Sequence, residues 1–285
     1  MSAKIQIVTD STADIPAELI KQLEITVVPL NVIFSDNEIY EDGVTLTSDQ
    51  FYKKVAETNV IPSTSQPTPY QFEQVYRSLL SGEDSKILSI HLSSILSGTF
   101  QAATIAKQSI DAGDSIYVVD SKRASNAIGI IVVEIAKFAK EGKSYEDCIA
   151  RLNELLATTT VFFMVDTLDY LQKNGRIGKA SAVFGSMLKI KPILSLSKEG
   201  EVFPVEKQRG QKKALNRIIE LLKEQYGSEP VHLGISHAVN ESLAIEIVNR
   251  IKDEFDVKSD VLSSIGAVIG AHVGPGTVSI AMTKA

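Results

Sequence analysis

Short apolar runs alternate with amphipathic stretches of helical length through the first half of the chain. The amphipathic stretches predict helices, of which the first starts at Pro16 and the second is capped by Ser48. A long apolar helix is predicted near 125–141. Strands joined by helical crossovers form parallel sheets, so this half predicts a layered α/β fold. The runs predicted as strands are 5–9, 25–34, 86–92 and 115–121.

The pattern changes near residue 160. The stretch 168–188 predicts two short helices around a glycine-containing loop, and 191–207 predicts a hairpin that turns at Glu199-Gly200. Two further helices and two further strands follow. We therefore predict two domains, 1–160 and 161–285, with a mixed sheet in the smaller second domain.

Polar clusters follow three of the predicted parallel strands. Asp10-Ser11-Thr12, Ser93 to Ser97 and Asp120-Ser121 each stand where a strand ends. Ligands of parallel α/β sheets gather at the carboxyl ends of the strands. The clusters therefore indicate a binding crevice at this edge.

The prolines of IPSTSQPTPY (61–70) favour an extended loop between two helices. Its hydroxyl groups, including that of Thr64, either line a ligand site or belong to a solvated linker. In the second case Thr68 does no more than cap the following helix. The spacing of the residues leaves both interpretations open.

Composition narrows the classes of function. The chain has 285 residues, is 44% hydrophobic and 22% charged, and carries a net charge of −6 with dispersed basic residues. These values predict a soluble two-domain protein that does not bind nucleic acid. The single cysteine, Cys148, fits a reducing cytoplasm, and the N-terminal sequence predicts no signal peptide. The apolar run 124–133 is too short to span a bilayer, so only transient membrane contact is expected.

The sequence does not match several common enzyme motifs. Gly142-Lys143-Ser144 ends like a P-loop, but Lys137 stands where the leading glycine belongs. Ser97 lacks the two flanking glycines of a hydrolase nucleophile elbow. The four histidines and one cysteine show no metal-ligand spacing.

Structural roles compete with functional ones for the remaining polar residues. Ser97 fits the N-cap of a helix beginning at Gly98, and His272 fits a core histidine near a turn. Asp10 and Asp120 fit caps of the turns after their strands. The residues alone leave these alternatives open.

Seven segments, in order along the chain, resemble the DegV family of fatty-acid-binding proteins. One such segment would be weak evidence, whereas seven in order are highly specific. The segments are TDSTADIP (9–16), YEDGVTLTSDQFY (40–52), PSTSQPTP (62–69), SSILSGTFQAA (93–103), VVDSKRAS (118–125), LDYLQKNGRIGKA (168–180) and GAHVGPGTV (270–278).

The resemblance implies a larger α/β/α domain with a parallel sheet and a smaller α/β domain with a mixed, mostly antiparallel sheet. It also implies a carrier without catalysis, metal or cofactor: the binding subunit of a bacterial fatty acid kinase. Such a subunit holds a long-chain fatty acid, for example palmitate, in a tunnel between its domains. A separate ATP-dependent kinase then phosphorylates the carboxylate, giving acyl phosphate for phospholipid synthesis.

The matched motifs assign roles to four residues. Thr64, Ser97 and His272 are the expected carboxylate contacts, and Arg176 of the GRIG element is the expected docking residue for the kinase. Because the segment 93–101 contains no lysine or arginine, we expect neutral groups to hold the carboxylate without a cation. Helix amides just after Ser97 would favour the carboxylate.

Comparing the burial of the acyl chain with the hydroxyl contacts to the carboxylate predicts which part of the ligand supplies most of the binding affinity. Burying about 14 methylenes at about 0.8 kcal/mol each far exceeds the 0.5–1.5 kcal/mol or so of one hydroxyl contact. The tunnel should hold the acid, and the hydroxyls should orient it. Candidate tunnel walls are the apolar runs 128–133, 161–165 and 265–269.

Two other functions remain open from the sequence. A domain similar to that of dihydroxyacetone kinase would bind a small carbonyl compound covalently through His272. A regulatory interaction protein would carry a lipid only incidentally. Chemical identification of the bound molecule would separate the carrier from the carbonyl-binding domain.

Overall fold

The computed structural model describes residues 4–81, 84–186 and 190–285. The strands are β1 (Lys4–Asp10), β2 (Thr26–Val28), β3 (Asn31–Ser35), β4 (Glu38–Glu41), β5 (Ser63–Ser65), β6 (Ser85–His91), β7 (Ile116–Asp120), β8 (Thr160–Met164), β9 (Lys191–Leu196), β10 (Val202–Gln208), β11 (Val231–His237), β12 (Val257–Ser264) and β13 (Val278–Lys284). The helices are α1 (Ala17–Leu23), α2 (Ser48–Thr58), α3 (Pro69–Leu79), α4 (Thr99–Ser109), α5 (Asn126–Lys140), α6 (Tyr145–Thr158), α7 (Asp169–Lys173), α8 (Gln211–Tyr226), α9 (Glu241–Glu254) and α10 (Ala267–Val273).

The first half forms the predicted parallel sheet, in the order β2-β1-β6-β7. The carboxyl ends of its strands meet at one edge, and their polar clusters bond to one another there. Asp10 Oδ2 accepts from the amide of Leu92 at 3.1 Å, and Asp120 Oδ1 accepts from the amide of Ser94 at 3.1 Å. The predicted convergence of the polar clusters is confirmed.

The second half forms a six-stranded sheet in the order β10-β9-β8-β13-β11-β12. Every neighbouring pair is antiparallel except β11 and β12, so the predicted mixed, mostly antiparallel sheet is confirmed. The predicted hairpin is the pair β9 and β10, whose turn includes Gly200 at φ +95°. The domain boundary at residue 160 stays a prediction, although β8 begins there.

The prediction of one strand over 25–34 was wrong. Pro29 and Leu30 separate β2 from β3 because proline lacks the amide hydrogen that a continuing strand needs. The strand β3 leaves the parallel sheet and builds a small antiparallel sheet in the order β4-β3-β5. Its pairing with β5 places Thr64 opposite Val32.

Caps explain where several helices begin. Thr47, not the predicted Ser48, caps α2 through a reciprocal pair of bonds with Gln50. Thr68 caps α3 in the same way with Gln71, as one interpretation of its loop predicted. Pro16 immediately precedes α1 and is not its first residue.

The two short helices predicted over 168–188 are confirmed as α7 and a 3₁₀ helix at Gly178–Ser186. Gly175, in the loop between them, has φ +67°, and Gly178, at the start of the 3₁₀ helix, has φ +49°, so both occupy the left-handed region. The last predicted positions, Met187 and Leu188, lie outside the described residues.

The helix α5 lies between the two larger sheets and is buried on nearly every side along its first three turns. Its residues share one core with Leu88 and Ile90 of the parallel sheet and with Val161 and Ala281 of the six-stranded sheet. A helix apolar on all faces requires packing on all faces. The central helix therefore joins the two halves.

Candidate ligand-binding site

A cavity of about 270 Å³, here called the main cavity, lies where all three sheets meet α10. Most of its wall is apolar, and the polar part includes the four residues singled out in the sequence. Pockets for small molecules share this combination of apolar walls and few polar groups. The lining residues are Leu30, Thr64, Ser65, Gln66, Leu92, Leu96, Ser97, Ala124, Ser125, Val161, Phe163, Leu171, Arg176, Leu196, Val202, Ile265, Val268, Ile269, His272, Val273, Thr277 and Ser279.

Thr64 and His272 form the best-defined polar contact on this wall. Thr64 Oγ1 lies 2.8 Å from His272 Nε2, joining β5 to the last turn of α10. The other ring nitrogen of His272, Nδ1, is buried without a hydrogen-bond partner among the described residues. The pair therefore offers a hydroxyl and an imidazole to a ligand in the cavity.

The electrostatics of His272 keep its ring neutral at physiological pH. Burial, reinforced by the positive charge of Arg176, lowers the pKa of His272 to about 4. A neutral imidazole presents one donor and one acceptor. Like the threonine hydroxyl, it can orient an oxygen-bearing group without neutralising its charge.

Contacts at both ends of α10 fix the position of His272. At the start, the amides of Gly266 and Ala267 donate to Asp14 Oδ1 and Asp42 Oδ1, each at 2.9 Å. Near the end, Asn174 Nδ2 donates to the carbonyl of Ala271 at 2.8 Å. Buried carboxylates at a helix start suit the orphan amides and the helix dipole. Sequence analysis missed both aspartates as supports of the site.

Ser97 lines the main cavity but does not cap α4 as the simpler alternative required. Gly98 is the cap position, and the helix begins at Thr99. Ser97 Oγ lies 2.9 Å from Thr99 Oγ1 and accepts weakly from the amide of Thr99 at 3.4 Å. Gln66 Nε2 donates to the carbonyl of Gly98 at 3.2 Å, which ties the Ser97 loop to the Thr64 segment.

Arg176 is exposed on the predicted glycine loop and also borders the main cavity. Its Nε donates to the carbonyl of Leu96 at 3.0 Å, beside Ser97, and its Nη1 donates to the carbonyl of Asn174 at 2.8 Å. A cation therefore borders the main cavity, although the segment 93–101 itself contains none. The segment 93–101 could not reveal it because the charge comes from a loop about 80 residues away.

The two lysines that flank Arg176 in sequence have partners of their own. Lys179 Nζ lies 3.4 Å from Glu201 Oε2, and Lys173 Nζ donates to the carbonyl of Ile61 at 3.2 Å. The guanidinium of Arg176 thus combines surface exposure with contact to the cavity wall.

Two of the three predicted tunnel walls border the main cavity. Val161 and Phe163 come from β8, and Ile265, Val268 and Ile269 come from the start of α10 and the residues before it. The third candidate, 128–133, does not line the main cavity, because its side chains are enclosed in the core around α5.

Asp10 and Asp120 take the structural roles that the sequence left open. Asp10 Oδ1 accepts from the amide of Thr12, and Asp120 Oδ1 accepts from the amide of Lys122 at 2.9 Å. Within residues 4–81, 84–186 and 190–285, no group of three or more histidine, cysteine, aspartate or glutamate side chains is arranged for a metal ion. No helix in these ranges is long and apolar enough to cross a membrane.

A parallel sheet, a mixed sheet and an apolar cavity with a small polar wall define the class: a two-part α/β protein with an internal ligand pocket. The chain belongs to the DegV family, described as uncharacterised proteins, whose model matches residues 4–285. The family and fold predicted from the sequence are both confirmed.

Three solved structures illustrate the similarity. A fatty-acid-binding DegV family protein from Thermus thermophilus is 35% identical, with 99% of this chain and 100% of that chain covered and a TM-score of 0.92. DegV from Bacillus subtilis, a fatty acid binding protein, is 37% identical with full coverage of both chains and a TM-score of 0.88. A stearic-acid-binding protein from Eubacterium ventriosum is 25% identical, with 98% of each chain covered and a TM-score of 0.90.

Proposed function

We propose that this protein binds one long-chain fatty acid, such as palmitate, in the main cavity. The observation that carries the proposal is an apolar cavity wall joined to a polar set formed by Thr64, Ser97 and His272. Relatives with the same fold bind fatty acids, and one of them binds stearic acid. The protein acts as a carrier, and no catalytic residue is assigned.

The carboxylate and the chain of the acid have different roles in this proposal. The apolar wall supplies most of the affinity, because each buried methylene contributes about 0.8 kcal/mol. The neutral groups of Thr64, Ser97 and His272 orient the carboxylate, each contributing about 0.5–1.5 kcal/mol. Arg176 sits close enough to act electrostatically on His272, so its charge also favours an anion at this end of the cavity.

We further propose that the bound acid is presented to a separate ATP-dependent fatty acid kinase. The kinase transfers a phosphoryl group to the carboxylate, and the acyl phosphate enters phospholipid synthesis. Exposure of Arg176 beside the polar wall supports docking there, since a guanidinium suits bidentate contact with carboxylate or phosphate groups.

Denaturing extraction of the purified protein, followed by lipid mass spectrometry, tests the binding step. We expect one equivalent of C14–C18 fatty acid per chain, and the delipidated protein should rebind one equivalent of palmitate. An empty protein that fails to rebind any such acid contradicts the proposal. A carbonyl adduct on His272 would instead indicate the dihydroxyacetone-kinase-like alternative, which the apolar wall disfavours.

A further inference from the structure

The turn that carries Ser97 is held on both sides through main-chain carbonyl groups. Arg176 Nε donates to the carbonyl of Leu96 at 3.0 Å, and Gln66 Nε2 donates to the carbonyl of Gly98 at 3.2 Å. These carbonyls belong to the residues directly before and after Ser97. Two side chains from distant segments therefore fix the main chain on either side of this serine.

The hydroxyl group of Ser97 is itself held less firmly. Its Oγ lies 2.9 Å from Thr99 Oγ1, and the amide of Thr99 approaches it only to 3.4 Å. Helix α4, which begins at Thr99, has no side-chain cap that would tie down its first turn. The direction of the Ser97 hydroxyl therefore depends on the position of the turn.

The backbone of Gln66 is anchored on both sides. Ser65, the last residue of β5, pairs with Asn31 of β3, and Pro67 is buried. A residue that precedes proline is restricted to extended conformations. Because Thr64 lies in the same short strand, Gln66 contacts the Ser97 turn from a point that is fixed relative to Thr64.

Gly98 allows the carboxamide of Gln66 to approach the turn closely. A Cβ atom on Gly98 would collide with Gln66 Oε1. The backbone of Gly98 has φ −76°, which alanine also adopts, so the close approach and not the backbone requires glycine here. The contact can therefore be broken from either side, at Gln66 or at Gly98.

We propose that Gln66 is a positioning residue, which holds Ser97 at the distance from Thr64 at which both hydroxyls contact one carboxylate. Gln66, Thr64 and Ser97 all border the main cavity. This inference rests on the proposed binding of a fatty acid. The carboxamide is neutral and can lie beside an anion, whereas a glutamate could not donate to the Gly98 carbonyl and would repel the ligand.

The bond between Gln66 and Gly98 should matter little for folding. Gln66 is exposed, and substitutions at exposed positions usually have small effects on stability. Loss of the bond should therefore change the bound carboxylate and leave the unfolding midpoint of the ligand-free protein where it was. This difference separates a positioning role from a merely structural one.

Binding of palmitate labelled with ¹³C at its carboxyl carbon to the delipidated protein tests the proposal. Gln66→Ala should weaken binding about two- to tenfold, the contribution of the one hydroxyl contact through which Gln66 acts. It should also shift the ¹³C resonance of the bound carboxylate without lowering the urea midpoint. Gln66→Glu should weaken binding further and raise the pKa of the bound carboxyl group.

The matched control for the added charge is Gln22→Glu. Gln22 is exposed on α1, and no residue of α1 borders the main cavity. This variant should bind palmitate like the unaltered protein and leave the ¹³C resonance unchanged.

Double variants show whether Gln66 acts through the Ser97 turn. Gly98→Ala should reproduce the effect of Gln66→Ala, and the two combined should bind no more weakly than either alone, because both break one contact. Gln66→Ala should likewise add nothing to the effect of Ser97→Ala. If Gly98→Ala does not fold, the pair of Gln66→Ala and Ser97→Ala decides.

An unchanged ¹³C resonance in Gln66→Ala, additive effects in either double variant, or equal effects of Gln22→Glu and Gln66→Glu would overturn the positioning role. The unaltered protein separates this failure from that of the proposed function. If it binds no palmitate, both proposals fail; if it binds palmitate and the variants match it, only the role of Gln66 fails.

Discussion

Thr64 Oγ1 lies 2.8 Å from His272 Nε2, although 208 residues separate them along the chain. The contact joins a short edge strand to a helix held at its start by two aspartates. Neither residue is placed by its sequence neighbours alone, so the contact between them depends on the assembled fold. The proposed carboxylate position is therefore a product of tertiary packing.

Thr64→Val and Ser97→Ala should each weaken palmitate binding by less than about tenfold, because a neutral hydroxyl contributes about 0.5–1.5 kcal/mol. Transfer of phosphate by the proposed partner kinase should fall more than binding does, since it depends on the orientation of the carboxylate. Equilibrium binding and acyl phosphate formation measure the two effects. Ser78→Ala, at an exposed position on α3, is the control. Complete loss of lipid from both folded variants would contradict a cavity-dominated affinity.

Arg176→Ala should preserve most palmitate binding and abolish acyl phosphate formation, since we assign its guanidinium to the kinase. Its bond to the carbonyl of Leu96 also supports the Ser97 loop, so Arg176→Lys is needed beside it. Lysine keeps the charge and loses the planar fork, and we expect it to restore only part of the activity. Unchanged turnover in Arg176→Ala, or loss of the lipid, would refute docking.

The imidazole of His272 should titrate with a pKa of about 4 in the ligand-free protein. Because the folded pKa lies below the ordinary value of 6.5, its contribution to stability is present above pH 6.5 and is lost as pH falls towards 4. NMR titration of the ring nitrogens measures it directly. Arg176→Gln should raise the pKa while leaving it below 6.5, since burial is the larger cause.

Lys179→Gln provides the matched control for that titration, because Lys179 pairs with Glu201 and is not among the causes of the shift. A His272 ring that titrates near pH 6.5, or a His272 pKa that is unchanged in Arg176→Gln, would exclude this electrostatic account.

Asp42→Asn should become progressively more stable relative to the unaltered protein as pH rises from 4 to 7. The folded pKa of Asp42 is raised from 3.8 to about 6, so its contribution is favourable at low pH and is lost as pH rises through 6. The difference should reach roughly 3 kcal/mol, at about 1.4 kcal/mol for each pKa unit. Urea unfolding at several pH values measures this difference. A gap that stays constant from pH 4 to 7 would show that Asp42 titrates normally.

Gly129→Ala should destabilise the protein by about 1–2 kcal/mol, although alanine is the better helix former. The new methyl group would stand 2.5 Å from the carbonyl oxygen of Ala13. Because this is a backbone atom, relieving the clash requires the main chain to move, which costs free energy. The control is Gly185→Ala, where a Cβ meets nothing within 4 Å. Equal urea midpoints for the two variants would mean that the loop at Ala13 adapts freely.

The layered fold could be predicted because hydrophobic periodicity is a local property. The break at Pro29 was missed since the apolar run continues on both sides of it, and a run alone does not show which sheet a strand joins. The candidate wall 128–133 lies instead in the core around α5. An apolar helix surface looks alike in sequence whether it faces a ligand or another helix.

The site could be assigned only through the resemblance. Spacing cannot bring Thr64 to His272 or Arg176 to Leu96, because sheet pairing and loop packing create those contacts. Asp14 and Asp42 stand in matched segments, yet only the start of α10 shows that they support the helix that carries His272.

The position of α5 determines how the protein should unfold. Its apolar side chains meet Leu88 from one sheet and Val161 and Ala281 from the other, so the core around α5 needs both halves. A fragment ending near residue 160 would expose much of that helix to water. Both sheets should therefore unfold together in one cooperative transition. Exchange of the proposed fatty acid would proceed through local movement of α10 and its neighbouring loops, while the central helix stays packed.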